Sequence, residues 1–232
     1  LRDPKGEWYG LSIRARTIIY NKKFVNPSQL STYEALAEPQ WKGKLCLRTS
    51  KKVYNQSLIA TMIATLGEKR TEEVVRGWVG NLATDVFADD NGVIKAVAAG
   101  QCEVGIVNTY YLARLMRSSQ PADKAVVERI GVVFPNQQSW GTHINIAGGA
   151  VARHAKHPEY AVKFLEYLVS AEAQNHFANG NNEWPVVRGV KFENPALREM
   201  TGGSFKSELI PISAVGMNQV KVQQMLDRVG FR

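Results

Sequence analysis

The stretch Cys102-Glu103-Val104-Gly105-Ile106-Val107-Asn108-Thr109-Tyr110-Tyr111 places two adjacent tyrosines directly after a short apolar run. The run is rich in β-branched residues, which predicts a buried strand of a mostly parallel sheet. Residues 110–116 predict a helix. The two phenols therefore lie where the carboxyl end of a strand turns into a helix, and ligands of open α/β sheets bind at that edge.

The alternative for these tyrosines is that both rings are packing groups of the core. Neighbouring residues of a strand point to opposite faces, so Tyr110 and Tyr111 cannot both face the core in that way. We expect at least one of the two rings to face the crevice.

The rest of the chain alternates between apolar strands and amphipathic helices. A strand over residues 45–48 is followed by a polar loop over residues 49–55, which contains Tyr54, and then by a helix with apolar residues from Leu58 that ends at Gly67. The order strand, helix, strand, helix, strand predicts a three-layer α/β unit.

Composition bounds the class of protein without identifying it. The chain has 232 residues, 44% hydrophobic and 22% charged, which is ordinary for a globular protein of one large domain or two small ones. The formal charge is +8, but the basic residues are scattered, so we expect no nucleic-acid partner. A net positive field favours anionic ligands or membrane surfaces.

Cysteine and histidine give no metal-site pattern. Cys46 and Cys102 are the two cysteines, an even count that permits one disulfide and requires none, and neither has a ligand-spaced neighbour for zinc. We interpret the histidines as surface groups; they are His143, His154, His157 and His176.

Six segments spread over almost the whole chain resemble the periplasmic ferric-iron-binding proteins of bacterial ABC importers, close to the cyanobacterial type. The segments are Gly10-Leu11-Ser12-Ile13-Arg14-Ala15-Arg16, Trp41-Lys42-Gly43-Lys44, Tyr54-Asn55-Gln56-Ser57, Asn108-Thr109-Tyr110-Tyr111, Asn145-Ile146-Ala147-Gly148-Gly149 and Asn182-Glu183-Trp184-Pro185-Val186-Val187. The tyrosine pair combined with the downstream Ala-Gly-Gly strand is the more specific part of this resemblance.

The resemblance implies a type II periplasmic-binding-protein fold, with two lobes that have mixed sheets and close on a ligand. It implies an interlobe connection over residues 1–18 and an α/β carboxyl-terminal lobe over residues 19–135. Residues 136–190 would be a return segment of the amino-terminal lobe, and residues 191–232 would complete the carboxyl-terminal lobe. Family members extend further toward the amino terminus, so the resemblance implies an incomplete amino-terminal lobe here and the absence of at least one ligand.

The resemblance also implies the ligands and the partners. Fe(III) would be held by phenolates of Tyr110 and Tyr111, and Tyr54 matches the further tyrosine of the cyanobacterial subgroup. The implied partner is an ABC permease of the inner membrane, the implied compartment is the periplasm, and we expect a monomer without catalytic activity. Three phenols from one lobe would leave the iron with an open face to water.

Four further residues are expected around these ligands. Positive charge at Arg14 and Arg114 would lower the cost of ionising the phenols. Asn91 and Asn108 lie at matching edges of the crevice, where they would hydrogen-bond to the ligand or to an anion. The two cysteines fall on strands expected to be neighbours, which leaves a disulfide or two buried thiols.

Three other interpretations remain open. The same fold could bind an oxyanion, a polyamine or another organic ligand; the chain could be a fragment that binds nothing; or it could be an enzyme. No Cys/His or Ser/His arrangement and no pair of carboxylates lies beside the crevice in the sequence pattern, which argues against catalysis.

Overall fold

One long strand connects two sheets in the computed structural model, which describes residues 1–232. The strands are β1 (Tyr9–Asn21), β2 (Leu45–Cys46), β3 (Val104–Asn108), β4 (Ile130–Val133), β5 (Ile144–Gly149) and β6 (Trp184–Pro185). The first part of β1 pairs with β5 and β6, and its second part, from Arg16 onward, pairs with β3 and β4. The chain thus crosses from one sheet to the other near Ala15.

Ten α-helices surround these strands. They are α1 (Val53–Leu66), α2 (Glu68–Gly80), α3 (Asp90–Ala99), α4 (Thr109–Met116), α5 (Pro121–Arg129), α6 (Pro158–Leu168), α7 (Ala171–Asn181), α8 (Pro195–Thr201), α9 (Ile212–Met217) and α10 (Gln219–Val229). The predicted end of the first helix at Gly67 is confirmed, since Gly67 caps α1 with a backbone N–H bond to Ile63.

The prediction of a mostly parallel sheet around residues 102–107 is wrong. The strand itself is present as β3 and is fully buried, but only β2 runs parallel to it. Its other neighbour, β1, is antiparallel, with Arg16 opposite Asn108. Burial on both faces produces the continuous apolar pattern whatever the direction of the neighbours, so that pattern could not reveal the mixed sheet that the structure has.

The sheet that the second part of β1 forms with β2, β3 and β4 is covered by helices on both faces. Ile18 packs into a cluster with residues of α1, α2 and α10, whereas the next residue, Ile19, packs into a cluster with residues of α3, α4 and α8. Successive residues of a strand point to opposite faces, so the two clusters are the two sides of one three-layer α/β unit. The predicted α/β class is confirmed.

Helix α3 lies directly against β3 because β3 carries a glycine where the helix crosses. A Cβ at Gly105 would lie 2.6 Å from Val93 Cγ1 and 3.1 Å from the carbonyl oxygen of Cys46. This close approach brings the first residues of α3 beside the end of β3, where Asn108 leads into α4.

The two cysteines form a disulfide, so the alternative of two buried free thiols is wrong. Cys46 lies on β2 and Cys102 just before β3, and their Cα atoms are 5.9 Å apart. The bond closes a loop of 56 positions in sequence and ties together two strands whose ends lead to the tyrosines.

The predicted lobe boundaries stay a prediction. Residues of α8 and α10 pack in the two clusters that cover the sheet of β2, β3 and β4. Strands β5 and β6 instead pair with the first part of β1 in the other sheet. None of the helices has the length and apolar character required to cross a bilayer.

Candidate metal site

Tyr110 and Tyr111 lie in the first turn of α4, immediately after β3. The turn is anchored by Thr109, whose hydroxyl donates to the carbonyl oxygen of Ala15 at 3.3 Å. The rings of Tyr110 and Tyr111 stack, with centroids 4.4 Å apart. Both side chains are partly exposed, and Tyr111 also packs against the core cluster that contains Ile19.

The prediction of a loop at Tyr54 is wrong. Tyr54 lies in the first turn of α1. The residue before this helix, Lys52, makes no side-chain cap, so the sequence carries no start signal here. The turn is held instead by two amides that reach back to the preceding segment. Asn55 Nδ2 donates to the carbonyl of Arg48 at 2.9 Å, and Gln56 Nε2 donates to the carbonyl of Ser50 at 2.9 Å.

The hydroxyl oxygens of Tyr54 and Tyr110 lie 3.4 Å apart. Burial raises the pKa of the Tyr110 phenol well above its ordinary value, and the neighbouring phenols of Tyr111 and Tyr54 raise it further, while the nearby Asn108 amide acts in the opposite direction. The phenol of Tyr110 is therefore protonated at neutral pH, and a cation that binds it must displace that proton.

Two guanidinium groups lie over the ring of Tyr54. The Cζ atom of Arg48 is 4.7 Å from the ring centroid and that of Arg14 is 5.9 Å from it. Arg14 also pairs with Glu183 at 3.6 Å, and Glu183 accepts a short hydrogen bond from the hydroxyl of Ser12. The two guanidinium groups therefore place positive charge against the face of the Tyr54 ring.

The expected neighbours of the phenols differ in how closely the structure places them. Arg14 lies over Tyr54, and the exposed Arg114 lies 5.9 Å from the centroid of the Tyr111 ring. Asn108 lies next to Tyr110 through its amide. Asn91 is in the first turn of α3, but its side chain makes no hydrogen bond to any of these residues.

Beneath the tyrosines lies a fully buried polar network centred on Asp90. Its Oδ2 accepts from Arg16 Nη1 at 3.2 Å and from the backbone N–H of Asn108 at 2.8 Å, and its Oδ1 accepts from Arg48 Nη1 at 3.4 Å. Arg16 also donates to the side-chain oxygens of Asn108 at 3.0 Å and Asn55 at 2.7 Å. The network thus contacts the segments before all three tyrosines.

Three buried nitrogen donors near the tyrosines have no hydrogen-bond partner. They are Nε of Arg14, Nε of Arg48 and Nδ2 of Asn108. Buried donors without partners cost free energy, so a site that holds several of them is suited to anionic oxygen atoms that would accept from them.

The interpretation of the histidines as surface groups is wrong for His143. His154, His157 and His176 are exposed, but His143 is buried at the start of β5. Its Nδ1 lies 3.3 Å from Glu208 Oε1, and its Nε2 lies 3.1 Å from Ser57 Oγ, on α1 one turn after Tyr54. Burial lowers the pKa of His143, and Glu208 opposes that shift.

Phenols are therefore the donors that this site offers to a metal. No three His, Cys, Asp or Glu side chains of the chain are grouped so that they could hold an ion. Phenolate is a hard, anionic oxygen ligand, which suits a small and highly charged cation more than it suits a soft metal. Of the residues around these phenols, sequence patterns did not single out Arg48, Asp90, Asn55 or Glu183.

Comparison with known proteins gives a consistent family. A family model described as bacterial extracellular solute-binding protein matches residues 1–201. Iron uptake protein A2 of Synechocystis sp. is 44% identical over an alignment of 234 residues that covers 100% of this chain and 67% of the relative. Iron uptake protein A1 of the same organism is 41% identical over 232 residues, which are 100% of this chain and 64% of the relative. The chain thus spans about two thirds of the length of these relatives.

Solved structures give the same result. The Trichodesmium protein IdiA (FutA), in complex with iron and citrate ligands, superposes with a TM-score of 0.95 at 49% identity, over 100% of this chain and 72% of that one. Apo FutA2 from Synechocystis PCC6803 superposes with a TM-score of 0.94 at 44% identity, over 100% of this chain and 73% of that one. The predicted resemblance to cyanobacterial ferric-iron-binding proteins is confirmed, and the chain belongs to the family of bacterial extracellular solute-binding proteins.

Proposed function

We propose that this protein binds Fe(III) as its cargo, through the phenolates of Tyr54, Tyr110 and Tyr111. The observation that carries the proposal is the 3.4 Å separation of the Tyr54 and Tyr110 hydroxyls, combined with the stacking of Tyr111 on Tyr110. Relatives named for iron uptake, and a neighbouring structure in complex with iron and citrate, support it.

The charges around the tyrosines suit this cargo. Three phenolates carry the charge that neutralises a trivalent cation, and each forms only when its proton leaves. Arg14 and Arg48 lie against Tyr54 and Arg114 lies beside Tyr111, so positive charge surrounds the proposed anionic ligands. Tyr54 and Tyr110 are each the second residue of a helix, where the partial positive charge of the helix terminus adds to this effect.

The proposed role is capture of iron in the periplasm and delivery to an ABC permease in the inner membrane, without catalysis. The family model and the two Synechocystis relatives named for iron uptake support this role. We further propose that the protein acts as a monomer, and that residues 1–18 and 136–190 belong to the connection and return of a lobe separate from residues 19–135 and 191–232.

A second candidate is an oxyanion or small organic ligand held at the same place. The observation in its favour is the set of unpartnered buried donors on Arg14, Arg48 and Asn108. Such a ligand would bind without iron and without producing colour.

The experiment is a titration of the purified chain with ferric citrate, followed by visible absorption. Fe(III) held by phenolates produces a phenolate-to-iron charge-transfer band that saturates at one iron per chain. Titration with citrate and with phosphate alone, by calorimetry, tests the second candidate. Saturable heat without any band on iron addition would favour the anion over the metal.

A further inference from the structure

Asp90 is the acidic centre of the buried network that contacts the supports of both groups of tyrosines, and Arg16, its partner at 3.2 Å, contacts Asn108 and Asn55 there as well. Asp90 is fully buried, it begins α3, and it accepts hydrogen bonds from three other segments of the chain. Water cannot reach a carboxylate at this depth, so its charge must be balanced by the groups that contact it.

One oxygen of Asp90 acts on the segment that carries Tyr110 and Tyr111. Oδ2 accepts the backbone N–H of Asn108 at 2.8 Å, and Asn108 is the last residue of β3, directly before α4. This bond fixes the backbone at the point where the chain turns from strand into the tyrosine helix.

The other oxygen acts on Tyr54 through an arginine. Oδ1 accepts from Arg48 Nη1 at 3.4 Å, and the carbonyl of Ala88 accepts from Arg48 Nη2 at 3.1 Å. These two contacts hold the guanidinium in place, with its Cζ atom 4.7 Å from the centroid of the Tyr54 ring. Removing the carboxylate would leave this cation free to move away from the phenol.

Resting on the proposed function, we propose that Asp90 is a positioning residue of the iron site, which couples the placement of Arg48 over Tyr54 to the placement of Tyr110 and Tyr111. Asp90 does not touch the metal. It fixes the distance between the two helix starts that present the phenols, and it sets the buried charge, because Arg16, Arg48 and Asp90 together leave one net positive charge.

Asp90→Asn changes both the charge of the network and the placement of its groups, and these two changes have opposite effects on iron affinity. Asp90→Asn adds one positive charge to the buried network, which by itself would stabilise phenolates and tighten iron binding. The same change replaces one acceptor oxygen by an NH2 donor that faces an N–H of arginine or of Asn108, which disturbs the placement. If placement dominates, Asp90→Asn weakens iron binding.

The test measures ferric-citrate titrations of wild type, Asp90→Asn and the matched control Asp89→Asn. Asp89 is the exposed neighbour that caps α3 through Gly92 N–H at 2.9 Å, and asparagine caps equally well, so the control makes the same charge change without touching the network. We expect Asp90→Asn to weaken iron binding about 10- to 100-fold, as outer-shell partners of metal ligands do, and to change the charge-transfer band at saturating iron. We expect Asp89→Asn to match wild type.

Arg48→Gln provides a second, independent variant, because it leaves the pair of Arg16 and Asp90 intact. We expect it to reproduce part of the loss, and the double variant to bind iron little worse than Asp90→Asn alone, since both act through one contact. A folded Asp90→Asn variant with wild-type affinity and an unchanged band, or with tighter binding, would overturn the proposal. If Asp90→Asn does not fold, an Arg48→Gln variant that binds iron as the wild type does would overturn it. A colourless wild type refutes the proposed function and this inference together, whereas a coloured wild type with unaffected variants refutes the inference only.

Discussion

Tyr54 and Tyr110 occupy equivalent positions at the starts of two helices, and their hydroxyl oxygens meet at 3.4 Å across 56 positions of sequence. Each is the second residue of its helix, α1 or α4. The arrangement brings two phenols and two positive helix termini to one point, which favours anionic oxygen there and, with it, a cation between the oxygens.

Iron affinity is expected to fall as the pH is lowered. The pKa of Tyr110 is raised, chiefly by burial, so its proton is bound in the metal-free protein and must be released when iron enters. Each phenolate formed releases one proton, so about three protons should leave per iron if all three tyrosines bind. Calorimetry in buffers of different ionisation enthalpy measures this number, and binding without proton release would contradict phenolate ligation.

Arg14→Met is expected to weaken iron binding by roughly tenfold and to raise the pH at which the colour develops. The reason is that its guanidinium, 5.9 Å from the centroid of the Tyr54 ring, stabilises the phenolate. The measurement is a ferric-citrate titration at several pH values. Arg70→Met, which removes an exposed arginine paired only with Glu73 on α2, serves as the control and should leave both quantities unchanged.

Loss of the disulfide is expected to lower the free energy of unfolding by about 4 kcal/mol, the value for a closed loop of this length in the chain-entropy description. The double variant Cys46→Ser, Cys102→Ser tests this in urea, with reduced wild type as a second sample. Neither cysteine hydrogen-bonds to Tyr54, Tyr110 or Tyr111, so the folded variant should still bind iron. Equal unfolding free energies of the variant and the oxidised wild type would contradict the expectation.

The unfolding free energy is expected to decrease as the pH falls below about 6.5, because His143 is buried and neutral. Its pKa is lowered in the folded state, chiefly by burial, so the unfolded chain takes up the proton first. Stability from this group is complete above the unfolded pKa and is lost with a slope of up to about 1.4 kcal/mol per pH unit below it. His143→Gln should flatten the profile between pH 6.5 and 5, and an unchanged slope in that variant would show that other groups cause it.

Local pattern was enough to predict the strand before Asn108, the helix that begins with Tyr110 and the α/β class. Local pattern cannot predict the direction of the neighbouring strands, because a strand buried on both faces is apolar whether its neighbours are parallel or antiparallel. The sequence predicts a loop at Tyr54 because the segment is polar and Lys52 gives no cap signal, whereas the helix start depends on amides that bond backward to the carbonyls of Arg48 and Ser50.

The polar groups around the phenols were less predictable than the phenols. Arg48 ends the strand predicted over residues 45–48, although β2 itself ends at Cys46, and Asp90 follows another aspartate at a helix start, where a capping role is the ordinary interpretation. Their pairing spans 42 positions of sequence and exists only once β2, β3 and α3 are assembled. His143 was missed for the same reason, since its partners Ser57 and Glu208 come from distant segments.

The most direct test of the central claim is the visible spectrum on ferric-citrate titration of three single variants, Tyr54→Phe, Tyr110→Phe and Tyr111→Phe, beside wild type. Tyr160→Phe, on the exposed surface of α6, is the matched control. The account predicts a charge-transfer band in wild type and control, and in each of the three variants a weaker or shifted band with affinity reduced by more than the 10- to 100-fold typical of outer-shell changes. Variants that bind iron with the wild-type band and affinity would contradict the assignment of these tyrosines as ligands.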